Sequence, residues 1–257
     1  MKTARNPLIQ VENFSAAYDG EVIIDAISFE IYAGEVFAIL GASGSGKSTL
    51  LKHMIGLYPP AGGRILIDGM DITSALGREK REILSKIGVA YQSGALFGSM
   101  TLLENVRLPL EEFTGLPARV CGLTALMKLK LVGLSEFIHH MPAELSGGMQ
   151  KRAAIARAMA LDPKIIFLDE PSAGLDPITS AGIDQLILSL AADLNITFVI
   201  VTHELESIFT IADRVIMLGK SDKKIVAAGK PEELRDKSAN PWVRRFFNRQ
   251  AETEISA

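Results

Sequence analysis

Residues Gly41, Ala42, Ser43, Gly44, Ser45, Gly46, Lys47 and Ser48 complete a G-x-x-x-x-G-K-S/T sequence, and that run leaves few folds open. An apolar run, Val36 to Leu40, precedes it with the compactness of a central buried strand. After it, Leu50, Leu51, Met54 and Ile55 recur at helical spacing, and Gly56 is a natural stop. A strand entering a helix through a glycine-rich loop lets backbone N–H groups wrap phosphate oxygens, and the helix start adds its positive end. In this setting Lys47 is expected to reach the β- and γ-phosphates of a nucleotide, and the Ser48 hydroxyl to ligate Mg2+. The competing reading, a Gly/Ser-rich turn without a ligand, fits the flanking elements poorly.

A second element supplies the acids. Ile165-Ile166-Phe167-Leu168 reads as another buried strand, and it runs into Asp169-Glu170. Carboxylates at the end of such a strand lie where open α/β sheets bind ligands. Asp169 is the expected Mg2+ ligand, and Glu170 the residue that orients or deprotonates the attacking water. A plain acidic loop start or helix cap is the alternative for this pair. His203, after Val199 to Thr202, and Gln92, after Ile87 to Tyr91, also follow strand-like runs. His203 can hydrogen-bond a γ-phosphate or the lytic water, and the Gln92 amide can touch both metal and water. His53, His139 and His140 have no such placement and read as ordinary helix or loop residues.

The chain of 257 residues fits one large domain, or one with a subdomain. Its apolar fraction of 48% suits a long buried parallel sheet, a partner surface, or both. No run of 18 apolar residues is present, so no membrane span is expected, and Met1 to Gln10 lack the apolar core of a secretory signal. Cys121 is the only cysteine, which excludes an internal disulfide. The balance of 27 basic and 30 acidic side chains gives no general nucleic-acid footprint.

Leu8 to Phe14 and Ile27 to Ile31, separated by the turn-like Asp19-Gly20, read as short strands of a small antiparallel layer, and further on Gly62-Gly63 precedes Arg64 to Ile67, with a turn at Asp68-Gly69 after it. From Thr101 to His140 the strand pattern gives way to helical spacing, as in Leu123, Leu126, Met127, Leu131 and Leu134. Ser146 to Leu161 continues as a helix closed by Pro163. Leu186 to Leu194 and Ile196 to Val201 restore the α/β alternation, and Val215 to Leu218 with Ile225 to Ala227 form a closing hairpin.

On these motifs the chain resembles the ATP-binding cassette transporter ATPases, from about Leu8 to Leu234. Leu145-Ser146-Gly147-Gly148-Met149-Gln150 resembles the family signature, with Met149 where glutamine is usual. Gln92 matches the Q-loop glutamine, Ser172 to Asp176 the D-loop, and His203 the switch histidine. Tyr18 stands where the family stacks an aromatic ring on adenine. The resemblance implies an α/β P-loop NTPase fold with a RecA-like parallel-sheet core, a small antiparallel β subdomain and an inserted helical subdomain at about 96–160. It places the ATPase domain at 6–240 and a C-terminal extension at 241–257. It also implies ATP and Mg2+ bound between two head-to-tail copies, where Ser146, Gly147, Gly148, Met149 and Asp176 of one copy face the phosphate loop and Thr49 of the other.

Tyr91 to Phe97, Met100 to Val106, Met149 to Arg152, Asp222 to Ala227 and Asn240 to Phe247 narrow the resemblance to the Mla-type, MCE-associated phospholipid-trafficking cassettes. That group implies a homodimer on the cytoplasmic face of an inner membrane, an integral membrane permease, a periplasmic MCE lipid-binding protein and, in some systems, a STAS-domain subunit, with no nucleic acid. A cassette serving another substrate class, or a soluble regulatory ATPase, is the alternative. Pro241 to Gln250 reads as a short helix with Trp242, Val243, Phe246 and Phe247 on one stripe. It can dock on its own domain, on the other copy or an accessory protein, or on a membrane surface.

Overall fold

The computed structural model describes residues 6–250. Two sheets organise them. The smaller has the strand order β2-β1-β4-β5, with β1 at Ile9–Tyr18, β2 at Glu21–Ile31, β4 at Gly62–Ile67 and β5 at Met70–Asp71. All its pairings are antiparallel. Asp19 (φ 50°) and Gly20 (φ 82°) make the two-residue turn between β1 and β2, the left-handed pair that matches strand twist. Strand β1 runs past the expected end at Phe14. A bulge at Asn13 (φ 47°) moves the buried positions from Ile9 and Val11 to Phe14 and Ala16, which interrupts the alternation that marks a strand.

The larger sheet has the order β10-β9-β3-β8-β7-β6. Here β3 is Val36–Gly41, β6 Ile87–Ala90, β7 Ile165–Asp169, β8 Thr197–Val201, β9 Arg214–Leu218 and β10 Ile225–Gly229. Neighbours from β9 to β6 are parallel, and β10 closes the edge antiparallel to β9. Both faces are covered, so the central strands are unbroken apolar runs. Side chains alternate between the faces: Phe37, Ile39, Phe167 and Val199 enter one core with Ile9, Phe14 and Leu50. Ile166, Leu168, Phe198 and Ile200 enter another with Val106, Leu129 and Ile155.

Helix α1 (Lys47–Met54) packs on the first face. A segment of helices is inserted between β6 and β7, with α3 at Leu102–Phe113, α4 at Ala118–Leu131 and α5 at Gly147–Ala158. Thr101 and Glu104 start α3 with a reciprocal capping box. Fully buried Asn105 fixes the lead-in by accepting from Phe97 N–H and donating to the carbonyls of Phe97, Met100 and Thr101. Helix α6 (Pro177–Leu194) begins well before the expected Leu186. Asp176 caps it, and Pro177 opens its first turn. The short helices α2 (Gly77–Ser85), α7 (Leu205–Ile211), α8 (Pro231–Lys237) and α9 (Pro241–Phe247), with 3-10 turns at Ser135–Phe137 and Pro142–Glu144, account for the other helical elements among the described residues.

Helix α9 (Pro241–Phe247) lies on its own domain: Val243 and Phe247 are buried against Ala38, Leu40, Ile208, Met217 and Leu234. Trp242 and Phe246 stay half-buried. The tail from residue 251 lies outside the described residues. Burying one Val and one Phe side chain contributes about 3 to 6 kcal/mol before ordering costs. Truncation after Ser238 is therefore expected to lower Tm by several degrees in calorimetry, and an unchanged Tm would show that this docking does not support the fold.

Candidate active site

The parallel strands deliver their C-terminal ends to one edge, and the sequence-predicted phosphate loop, acids and histidine meet there. Gly41, Ala42, Ser43, Gly44, Gly46, Lys47, Ser48, Thr49, Gln92, Asp169, Glu170 and His203 line one open cleft of about 820 Å³. Gly46 (φ 95°) turns the loop into α1, and a Cβ there would press on Ile24 Cγ1 at 3.0 Å. Lys47 Nζ donates to the carbonyls of Gly41 at 2.9 Å and Ala42 at 3.1 Å. Burial pushes its ammonium down from the usual lysine range, while Glu170 and Asp169 hold it up. A half-buried cation that spends its hydrogen bonds on main-chain carbonyls is ready to take phosphate oxygens.

Glu170 sits one step past β7 in the left-handed region (φ 48°), a conformation that costs a non-glycine residue roughly 1–3 kcal/mol and clusters at functional sites. Its N–H donates to the Val201 carbonyl at 2.8 Å. Its Oε1 lies 2.7 Å from His203 Nδ1, and its Oε2 is buried with no protein partner. Burial raises the Asp169 pKa, Glu170 adds to the rise, and Lys151, Lys52 and Lys47 oppose it.

Among the described residues no cluster of three His, Cys, Asp or Glu side chains could hold a metal by itself. The hard oxygen donors in the cleft, Asp169 and Ser48, suit Mg2+, which takes one or two protein ligands and completes its shell with water and substrate phosphates. When bound, Mg2+ neutralises charge on the β- and γ-phosphate oxygens.

The remaining expected residues lie elsewhere. Ser146 caps α5, accepting from Met149 N–H at 3.3 Å, and Ser146 and Gly147 are exposed outside the cleft. A Cβ on Gly148 would collide with Thr179 Cγ2, so the signature turn packs directly on α6. The Met149 side chain packs on the helical core. Asp176 accepts from Ile178 and Thr179 N–H, both at 3.1 Å, and from Thr179 Oγ1 at 2.6 Å. Tyr18 is 39% exposed at the tip of the first hairpin, its ring centroid 6.0 Å from Tyr58 and 6.2 Å from His53. It is not among the residues that line the cleft. Ile23 and Phe246 are, and no sequence pattern ties either of them to a nucleotide. His53 is buried, with Nδ1 2.8 Å from the Thr49 carbonyl, a structural placement.

With the geometry established, likeness to known proteins decides the family. The ABC transporter family profile matches residues 24–173, more than half of the chain. The chain belongs to the ABC transporter family. It is the ATP-binding subunit type, an ABC ATPase using ATP and Mg2+. This ABC ATPase is 43% identical to the "Intermembrane phospholipid transport system ATP-binding protein MlaF" of Haemophilus influenzae, covering 88% of this chain and 85% of that one. It is also 43% identical to the "Probable ribonucleotide transport ATP-binding protein mkl" of Mycobacterium leprae, covering 93% of this chain and 68% of that longer one. An ATP-binding cassette solved as a dimer in a post-hydrolysis state with ADP and Pi superposes with a TM-score of 0.78 at 35% identity, covering 86% of this chain and 98% of that one. The expected P-loop core, antiparallel layer and helical insert are thus those of the family.

The raised Asp169 pKa makes a testable statement about the nucleotide-free ABC ATPase. An acid whose folded pKa is raised favours the folded state below its unfolded value and loses that advantage as pH climbs through the folded value. At neutral pH, Asp169→Asn is expected to raise the Tm of the nucleotide-free protein while removing most Mg2+-dependent turnover. The Tm difference should shrink as pH falls. Calorimetry across pH checks this, and a variant less stable than wild type at neutral pH would refute it.

Proposed function

We propose that this ABC ATPase is the motor subunit of an inner-membrane transporter that moves phospholipid between membranes, and that it works as a homodimer on the cytoplasmic face. In this reading the membrane path belongs to a permease, and among the described residues no helix is long and apolar enough to cross a membrane. One adjacency carries the motor reading. An apolar groove lined by Leu57, Leu84, Val89, Tyr91, Pro109 and Phe113 borders the helical insert, and the residue after Tyr91, Gln92, lines the ATP cleft. A cytoplasmic helix of the permease laid in that groove would touch the strand end that bears Gln92.

Lys47 and the loop from Gly41 to Thr49 hold the phosphates, Ser48, Asp169 and Gln92 the metal. Glu170, held by His203, takes the proton of the attacking water. The Ser146 to Met149 turn, exposed at Ser146 and Gly147, and Asp176 close over the nucleotide of the second copy, and Tyr18 stacks on adenine. ATP then favours the closed pair, and hydrolysis releases it.

The likeness to MlaF over most of both lengths supports the phospholipid substrate. A periplasmic MCE lipid-binding protein, and in some assemblies a STAS-domain subunit, would complete the machine. The equal identity to mkl keeps another transported substrate as the second reading. Purifying the native membrane complex and identifying its subunits and bound lipid by mass spectrometry tests the proposal. An amino-acid-binding partner, or a ribonucleotide in place of lipid, would overturn the substrate. Recovery of an active ATPase dimer with no membrane protein would favour a soluble regulatory role.

A further inference from the structure

Lys151 lies on α5, just past the signature turn, and its side chain reaches back to the strand ends that carry Glu170 and Gln92 into the ATP cleft of the same chain. Its Nζ donates to the Glu170 carbonyl at 2.9 Å and also to the Gln92 carbonyl. These acceptors come from the ends of two different strands, β7 and β6. Carboxylates of Asp169, Glu170 and Glu204 stand near enough to hold its charge up against burial, yet the ammonium bonds to main-chain oxygens. An ammonium has three donors in a compact head, suited to drawing two carbonyls together.

The Glu170 peptide needs such fixing. Its backbone is in the left-handed region, which a glutamate does not hold without outside contacts. Three contacts hold it: its N–H donates to the Val201 carbonyl, and its own carbonyl accepts from Ala173 N–H at 3.3 Å and, more closely, from Lys151 Nζ at 2.9 Å. The peptide sets the direction in which the carboxylate leaves the strand end. Neighbouring side chains on α5 have different targets. Arg157 donates to the carbonyls of Ala95 at 2.6 Å and Gly94 at 3.0 Å, and Gln150 to those of Pro142 and Leu145. Those contacts brace loops. The Lys151 contact alone ends on the peptide of the proposed base.

We infer that Lys151 is a positioning residue for hydrolysis, fixing the peptides of Glu170 and Gln92 to the signature helix so that the carboxylate is aimed at the attacking water. This rests on Glu170 as the base. A misaimed base slows the chemical step without weakening nucleotide binding, so the effect belongs in kcat.

The experiment uses the full-length protein and compares wild type, Lys151→Met, Lys151→Arg and Glu170→Gln. Steady-state ATPase kinetics, affinity for a fluorescent ATP analogue and Tm are measured for each. Lys151→Met is expected to lower kcat about tenfold or more while KM and nucleotide affinity stay within about twofold. Lys151→Arg should recover most of the loss, because a guanidinium can also donate to two carbonyls. A Lys151→Met kcat within about twofold of wild type would overturn the inference. So would a loss of kcat that comes with an equal loss of affinity, or with a fall in Tm that Lys151→Arg shares, since either marks a structural prop. If Glu170→Gln is inactive and Lys151→Met is normal, the positioning role alone fails. If Glu170→Gln hydrolyses at the wild-type rate, the base assignment fails first.

Discussion

Glu170→Gln is expected to bind ATP as wild type does and to turn it over between about 100- and 10,000-fold more slowly, the usual loss when a positioned base is removed. The amide has nearly the same shape as the carboxylate. It can keep a hydrogen bond to His203, whose Nδ1 lies 2.7 Å from Oε1, so the local geometry survives. What it cannot do is accept a proton, because a neutral amide is a far weaker base than a carboxylate. With hydrolysis stopped, the ATP-bound pair should accumulate, visible as nucleotide-dependent dimer in sedimentation. Rapid hydrolysis by this variant would remove Glu170 from the base role.

Lys47→Ala acts earlier in the cycle. Its ammonium is the cation closest to the phosphate loop's own carbonyls, at 2.9 and 3.1 Å, and it must leave those oxygens for phosphate oxygens. A hydrogen bond to a charged group is worth about 1.5–3 kcal/mol, so ATP affinity should fall about 10- to 150-fold. Turnover should fall further, since the same ammonium neutralises charge on the γ-phosphoryl group as it transfers. The folded state gives up little, because Lys47 is held there against the cost of burial. Isothermal titration with ATP, alongside Tm, separates these effects. Unchanged affinity and turnover would move the primary phosphate site away from this loop.

How much of this can be read from the chain depends on which contacts are local. Strands β3, β7 and β8 are legible because burial on both faces demands an unbroken apolar run, as in Val36 to Leu40. The ligands at their ends follow in sequence, so Lys47, Asp169, Glu170 and His203 come with the strands. Gln92 follows β6 in the same way. The second half of β1 is obscured by one extra residue at Asn13, which shifts the alternation without ending the strand. The first half of α6 is obscured because Ile178 stands 85% exposed, breaking the helical stripe of its buried positions Ile183, Asp184, Ile187 and Leu190. Helix α2 fully buries only Ile83, and α8 only Pro231 and Leu234, so neither carries an apolar stripe for periodicity to reveal. Lys151 is invisible for another reason: it meets Glu170 across 19 positions of sequence, through the packing of a helix on a sheet. The same holds for Phe246, which reaches the cleft from the far end of the described chain. The four aromatic and aliphatic residues of α9 read as one stripe, yet packing separates them into a buried pair and a half-exposed pair.

Strand β3 has no partner among its neighbours in sequence; it is bonded only to β8 and β9. On a ribosome the consequences are in timing. The antiparallel layer can assemble once Ile67 and its turn have emerged, and the inserted helices pack among themselves. The strand that bears the phosphate loop must wait with both edges bare until Val201 has been made, and with one edge bare until Leu218 has. Closure of such distant pairings is slow, and an unpaired apolar strand is prone to aggregate. Nucleotide can therefore stabilise this fold only after its parallel strands have been synthesised through β9. ATP acts on the finished cassette and gives no help to the nascent one, which must be shielded by other means.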